Sequence, residues 1–175
     1  MKLSSLHKNY KKKLNELTKQ NYCGIISSKD ENDYRKEVFI MKKNIESNLA
    51  PYHYFNANPK GRRTDDCVVR AIATATGQTW DETLMGLTQC AIKHKYMIHC
   101  PELYGKYLNE LGFEKQKQPR KKDNKKIRAC EFVKTFKGTA VANIGAGHVA
   151  CLKDGQVWDI WDSSGEVVGN YWVKK

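Results

Sequence analysis

TDDCVVRAIATAT, residues 64–76, is the stretch on which the reading of the fold turns. Thr64, Asp65 and Asp66 each carry a short side-chain oxygen that can accept from the free N–H groups of a helix's first turn. Behind them Val68, Val69, Ala71, Ile72, Ala73 and Ala75 are apolar, and Arg70 is the only charge within the run. A helix apolar on most of its sides is one that the rest of the domain wraps. Gly77 supplies the stop. Cys67 falls in the first turn, where unpaired N–H groups and the positive end of the helix dipole favour a thiolate. The same N–H groups can stabilise an oxyanion on a carbonyl under attack. Two readings fit Cys67 at this point: a nucleophile, or an ordinary buried cysteine, since free cysteine is among the most buried residue types.

The surrounding composition is that of a globular protein. Of 175 residues, 40% are hydrophobic and 29% charged, which excludes a disordered chain. Apolar runs are only a few residues long, so no membrane span is expected. The first residues, MKLSSLHKNYKKK, lack the apolar stretch of a secretory signal, and the expected location is the cytoplasm. The six cysteines are widely spread in a chain large enough to stand without staples, so free thiols are expected. Cys90, His94, His99 and Cys100 are competent zinc ligands, but their spacing matches no finger pattern; neither a metal nor a cofactor is expected. The net charge of +12 favours acidic partners, either an acidic protein or nucleic acid.

Outward from the central helix, residues 1–55 read as a basic helical extension with eleven Lys/Arg against six Asp/Glu. Leu3, Leu6, Tyr10, Leu14 and Leu17 recur at helical spacing, and a second helix is predicted over 31–48. PYHYFNANPKGRR, residues 51–63, reads as a loop from its Pro, Asn and Gly content. After Gly77, Thr79 and Glu82 form a capping-box pattern that starts a helix running to about His94. Pro101 opens another that stops at Gly112. Residues 115–128 hold eight basic residues and one acid around Pro119 and Asp123-Asn124, the signature of an exposed loop or hairpin tip. Its Arg120, Lys121, Lys122, Lys125, Lys126 and Arg128 form either a solvated surface or a docking surface for phosphates or an acidic polypeptide. A short helix over 130–136 precedes strands at 138–144, from His148 to an Asp154-Gly155 turn, from Gln156 onward, and at the C-terminal end. Helices first and an antiparallel sheet after them make an α+β class.

The hairpin places chemistry. With Asp154-Gly155 as a two-residue turn, Lys153 pairs with Gln156 and His148 faces Trp161, one place from Asp162. Val157, Asp159 and Trp161 then share one side of the returning strand, with Trp158, Ile160 and Asp162 on the other. Asp162 is expected to reach the imidazole through twist or a bulge, with Asp159 the weaker candidate. A thiol nucleophile needs a base, and the base needs a third group to orient it. Cys67, His148 and Asp162 supply these in workable order.

A helix-borne cysteine, a Gly-His on a later strand and an acid one hairpin further on resemble the papain-like cysteine peptidase superfamily. The bacterial leader-peptidase and transglutaminase-like branches, and small phage or prophage proteins, are the nearest in kind: DCVVRAIA, GHVACLKDG and VWDIWDSSG carry the likeness. It covers residues 56–175 and implies a papain-like domain there, with Cys67 as nucleophile, His148 as base and Asp162 as orienting residue. It places a phage-encoded protein in the host cytoplasm. The family's glutamine a few residues before the cysteine has no counterpart; Asn58, Thr64 or a backbone N–H would serve as oxyanion donor instead. The expected function is thiol-dependent acyl transfer on a polypeptide, as a cysteine peptidase or isopeptidase. The alternative is a non-catalytic protein that keeps the shell and captures an acidic partner or nucleic acid through its basic surfaces, such as a phage inhibitor of a host factor.

Overall fold

The computed structural model describes residues 50–174, so the helices expected at 3–17 and 31–48 lie outside the described residues. The described residues form one compact unit. Among the described residues the class is α+β, with four helices and one six-stranded sheet. The elements run β1 (Tyr52–Tyr54), α1 (Cys67–Thr76), α2 (Trp80–His94), α3 (Pro101–Glu110), β2 (Phe113–Gln116), α4 (Ala129–Thr135), β3 (Thr139–Ile144), β4 (His148–Lys153), β5 (Gln156–Asp159) and β6 (Val168–Lys174).

Local chemistry accounts for most of these boundaries. α1 stops at Gly77, which takes the left-handed conformation (φ 80°) and donates its N–H to the Ala73 carbonyl. Thr74 and Thr76 survive in this half-buried helix by donating their hydroxyls to the Arg70 and Ile72 carbonyls. α2 begins with the full capping box of Thr79 and Glu82. α3 has Pro101 in its first turn, where no N–H is missed. Asp154 and Gly155 both have positive φ (54° and 76°), the pair of values a type I′ hairpin turn requires. The β4–β5 register is the expected one, with Lys153 opposite Gln156 and Cys151 opposite Trp158.

The sheet order is β1-β5-β4-β3-β6-β2. It is mixed rather than purely antiparallel, because β1 runs parallel to β5 at one edge. Residues 52–54, expected in a loop, are therefore a sheet edge: Val157 donates to the Pro51 carbonyl and Phe55 to the Asp159 carbonyl. β2, at the other edge, pairs with β6 from Phe113↔Lys174 to Gln116↔Tyr171. Both are edge strands of three or four residues, too short for alternation to mark them.

Alternation along the central strands divides the core. Val141, Val149 and Trp172 pack with α1, α2 and α3 on one face. Ala140, Ala142, Ile144, Ala150, Leu152 and Val157 pack with Phe132 and Val133 of α4 on the other. A Cβ at Gly105 would sit 3.2 Å from the Trp172 indole, so the missing side chain lets α3 lie against β6. The charged residue of α1 is accommodated by pairing: Arg70 bonds the Asp66 carboxylate one turn back, both side chains 7% exposed. Arg70 also donates to the Thr64 carbonyl at 3.3 Å. Breaking a buried pair leaves an uncompensated charge. Arg70→Ala is therefore expected to lower unfolding free energy by about 3–5 kcal/mol, read as a fall in the urea midpoint. A midpoint unchanged within error would show that the pair contributes nothing.

Candidate active site

The site forms where the N-terminus of α1 meets the start of β4. Cys67 is the first residue of α1. Asp66 occupies the N-cap position yet makes no side-chain cap hydrogen bond. Its carboxylate is engaged elsewhere: with Arg70, with the Asn58 amide at 3.1 Å and with the Trp80 indole N–H at 2.9 Å. The first-turn N–H groups are thus left to the thiol, and that of Val68 lowers its pKa. The backbone N–H of Val149, one residue past His148, lowers it too. The GAG turn before His148 has Gly145 and Gly147 at positive φ (60° and 77°), the tight reversal that returns the chain from β3 into β4.

His148 bridges the thiol and a carboxylate. Its Nε2 lies 2.5 Å from Asp159 Oδ2, and the imidazole and the Cys67 thiol are close enough to shift each other's protonation. Asp159 is buried and anchored on both oxygens: Oδ1 accepts the Ile160 N–H at 2.7 Å and Oδ2 accepts the Ser163 hydroxyl at 2.7 Å. The Trp161 ring lies 5.2 Å from the imidazole, centroid to centroid.

The carboxylate that meets the imidazole is Asp159, not Asp162. Extending the register of β4 and β5 by three residues sets Asp159 opposite Ala150 and Trp161 opposite His148, so Asp159 and His148 share a face as diagonal neighbours. Asp162 has the opposite parity and lies beyond the end of β5 at Asp159. It is exposed, and its carboxylate accepts the Ser164 N–H at 3.1 Å. Twist and bulging do not overturn the period of two.

The two oxyanion candidates are placed differently from expectation. The Asn58 amide donates to Asp66, and Thr64 is exposed with its carbonyl held by Arg70. Asn143 is a residue the sequence reading passed over. It sits on β3 directly opposite Val149, and its Oδ1 accepts the Tyr104 hydroxyl at 2.6 Å, which turns the amide nitrogen away from that contact. The Tyr104 phenol is near enough to Cys67 to feel its charge; burial first, and then that charge, push it up to about 12. The signal for Asn143 was available: it is the one amide in the otherwise apolar TAVANI.

The six basic residues expected as a surface are all exposed. Five of them lie along a small hairpin closed by a backbone bridge between Arg120 and Lys126, and Arg128 stands at the start of α4. Lys121 pairs with Glu131 at 2.7 Å and Lys125 with Asp123 at 2.9 Å, which leaves the tip less positive than its composition. No helix among the described residues is long and apolar enough to cross a membrane.

Electrostatics couple the central pair. Burial pushes the Cys67 thiol up, but the His148 imidazole and the Val149 and Val68 N–H groups outweigh it, and the thiol ends below its ordinary value. Burial pushes His148 down; bonding to Asp159 and Cys67 overrides this and raises it to about 9. Both shifts favour a thiolate beside an imidazolium. Cys151, fully buried, is pushed up to about 12, and burial raises Cys90 as well. Comparison with protein-family models, curated proteins and solved structures finds no match for this chain.

Alkylation by iodoacetamide at pH 7, followed by mass spectrometry, should label Cys67 ahead of Cys90 and Cys151. In His148→Ala the Cys67 rate should fall, since each unit of thiol pKa removes about nine-tenths of the remaining thiolate. Equal labelling of the three thiols, or indifference to His148, would refute the coupled pair.

Proposed function

We propose that the chain is a thiol-dependent acyl-transfer enzyme, a cysteine peptidase or isopeptidase with a papain-like arrangement of helix and sheet. One observation carries this reading: His148 stands between a thiol at the first turn of α1 and a buried, doubly anchored carboxylate. Cys67 as thiolate attacks the carbonyl carbon of a polypeptide acyl group. The S–C bond forms as the carbonyl oxygen takes the electron pair. His148 as imidazolium then gives its proton to the leaving amine, and the C–N bond breaks to leave a thioester. Water or a second amine, deprotonated by His148, resolves it, giving hydrolysis or transfer. Asp159 holds the imidazole in orientation and stabilises its charged form. The oxyanion falls to the first-turn Cys67 N–H and to Asn143 from the neighbouring strand, in place of the glutamine that the superfamily uses. The likeness to small phage proteins belongs to the same proposal and would put the substrate in a host cytoplasm.

Support comes from the mutual consistency of the parts. The helix cap is diverted from the thiol, the base is raised and the thiol lowered. A buried structural cysteine needs none of these. Burst kinetics with p-nitrophenyl acetate, which needs only an acyl acceptor, tests the roles. Cys67→Ala is expected to abolish the burst with the fold retained. Asp159→Asn should lower the rate by roughly two to four orders of magnitude, and Asp162→Asn should leave it unchanged. A normal burst in Cys67→Ala, or the reverse order of the two aspartates, would reject the assignment.

The second reading, a non-catalytic binder, draws on the exposed hairpin that carries Arg120, Lys121, Lys122, Lys125 and Lys126, with Arg128 just after it. Binding through it to an acidic protein or to nucleic acid would weaken steeply with salt. Glu substitutions at Lys122 and Lys126 would abolish such binding, and Cys67→Ala would not. Titration with heparin or duplex DNA at two salt concentrations reads this directly; binding indifferent to both salt and charge reversal rules it out.

A further inference from the structure

Away from the thiol–imidazole pair, the last turns of α2 and α3 bring three ligating side chains together. Cys90, His94 and Glu110 each offer one atom, and these atoms lie within 4.8 Å of one another. Cys90 and His94 are four residues apart on α2, one above the other on a single helix face. Glu110 is the last residue of α3. The two helices approach closely at Gly86, where a Cβ would fall into the Tyr107 ring. Burial is graded: Cys90 is buried, His94 half-buried and Glu110 exposed. The sulfur is thus a fixed anchor inside, with two adjustable side chains at the surface.

We propose that Cys90, His94 and Glu110 form a zinc-binding site whose fourth position is open to water. One thiolate, one imidazole and one carboxylate are a zinc donor set, and the thiolate disfavours magnesium and calcium. Tetrahedral zinc holds its ligands at about 2.0–2.3 Å, which spaces them roughly 3.5 Å apart. The present spread of 4.8 Å closes by rotation of the His94 and Glu110 side chains about their own bonds.

Two further observations favour a cation here. His94 and Glu110 are each the last residue of a helix, so the partial negative charge of two helix C-termini converges on the cluster. A cation already stands at the carboxylate: Lys93 Nζ lies 3.4 Å from Glu110 Oε1, in a pair whose side chains are 66% and 50% exposed. Such an exposed pair is weak, and a divalent ion can displace the ammonium. Binding breaks the Cys90 S–H bond, sends the proton to solvent and forms the Zn–S bond, with no change of oxidation state. Because the thiol must lose its proton to bind, zinc binds more tightly as pH rises. The sequence alone grouped Cys90 and His94 with His99 and Cys100; the fold sets Glu110 beside the first two.

Titration of the full chain with Co²⁺ under reducing, anaerobic conditions tests the site, in a Cys67→Ser background that removes the competing nucleophile thiol. One Co²⁺ per chain should bind with thiolate-to-cobalt charge-transfer absorption, and Zn²⁺ should bleach it. Cys90→Ser should remove the band. His94→Ala and Glu110→Gln, both at surface-reachable side chains and so informative even if Cys90→Ser misfolds, should each weaken binding at least roughly tenfold. The proposal is overturned by absence of the band, by a band that survives Cys90→Ser or instead depends on Cys100, or by affinity indifferent to both surface substitutions.

Discussion

A carboxylate cannot remain charged inside a protein unless its oxygens are occupied, and the candidate site is arranged around that requirement at Asp159. Its two oxygens accept from the Ile160 N–H, the Ser163 hydroxyl and the His148 imidazole. The first two partners come from the chain immediately after β5, so the bend at the strand's end and the anchoring of the carboxylate are one feature. The third partner is the imidazole, which the carboxylate pulls toward its charged form despite burial. That charge in turn lowers the thiol. The properties of Cys67 thus depend on a residue it does not touch.

A second buried carboxylate shapes the other half of the site. Asp66 stands where a short polar side chain would ordinarily cap α1, an interaction worth about 1 kcal/mol. It faces Arg70, Asn58 and Trp80 instead. Pairing Arg70 inside the core matters more than the cap, because an unpaired buried guanidinium costs several times as much. The consequence is chemical: the first-turn N–H groups stay clear of side-chain oxygen and are available to the sulfur. Arg70 therefore serves the site from a turn away by occupying the carboxylate that would otherwise compete with the thiol. The same pairing fastens the loop before α1, through the Thr64 carbonyl and the Asn58 amide.

Much of this was legible in local chemistry. Capping residues, Gly77 and the Thr79–Glu82 box mark α1 and α2 because a helix end has unpaired groups that only certain side chains satisfy. The Asp154-Gly155 pair specifies its turn, and the turn specifies the register from Lys153↔Gln156 upward. From that register alone, the period of two already sets Asp159 on the side of His148 and Asp162 on the other. Asp162 was favoured because it lies nearer the residue opposite His148 in sequence, and nearness in sequence does not overcome the face a strand assigns.

What the sequence by itself determined is the part governed by short-range rules: the α+β order, the helix that carries Cys67, the β4–β5 hairpin and the free thiols among the described residues. Tertiary structure decided which distant groups meet. Tyr52–Tyr54 became a parallel edge strand because β5 offered it unpaired backbone groups, which no local preference announces. Asn143 faces Val149, Asn58 is tied to Asp66, and Glu110 lies beside Cys90 and His94, each for want of any local constraint other than packing. Side-chain encounters across elements follow from how faces are buried against one another, and that is a property of the whole domain.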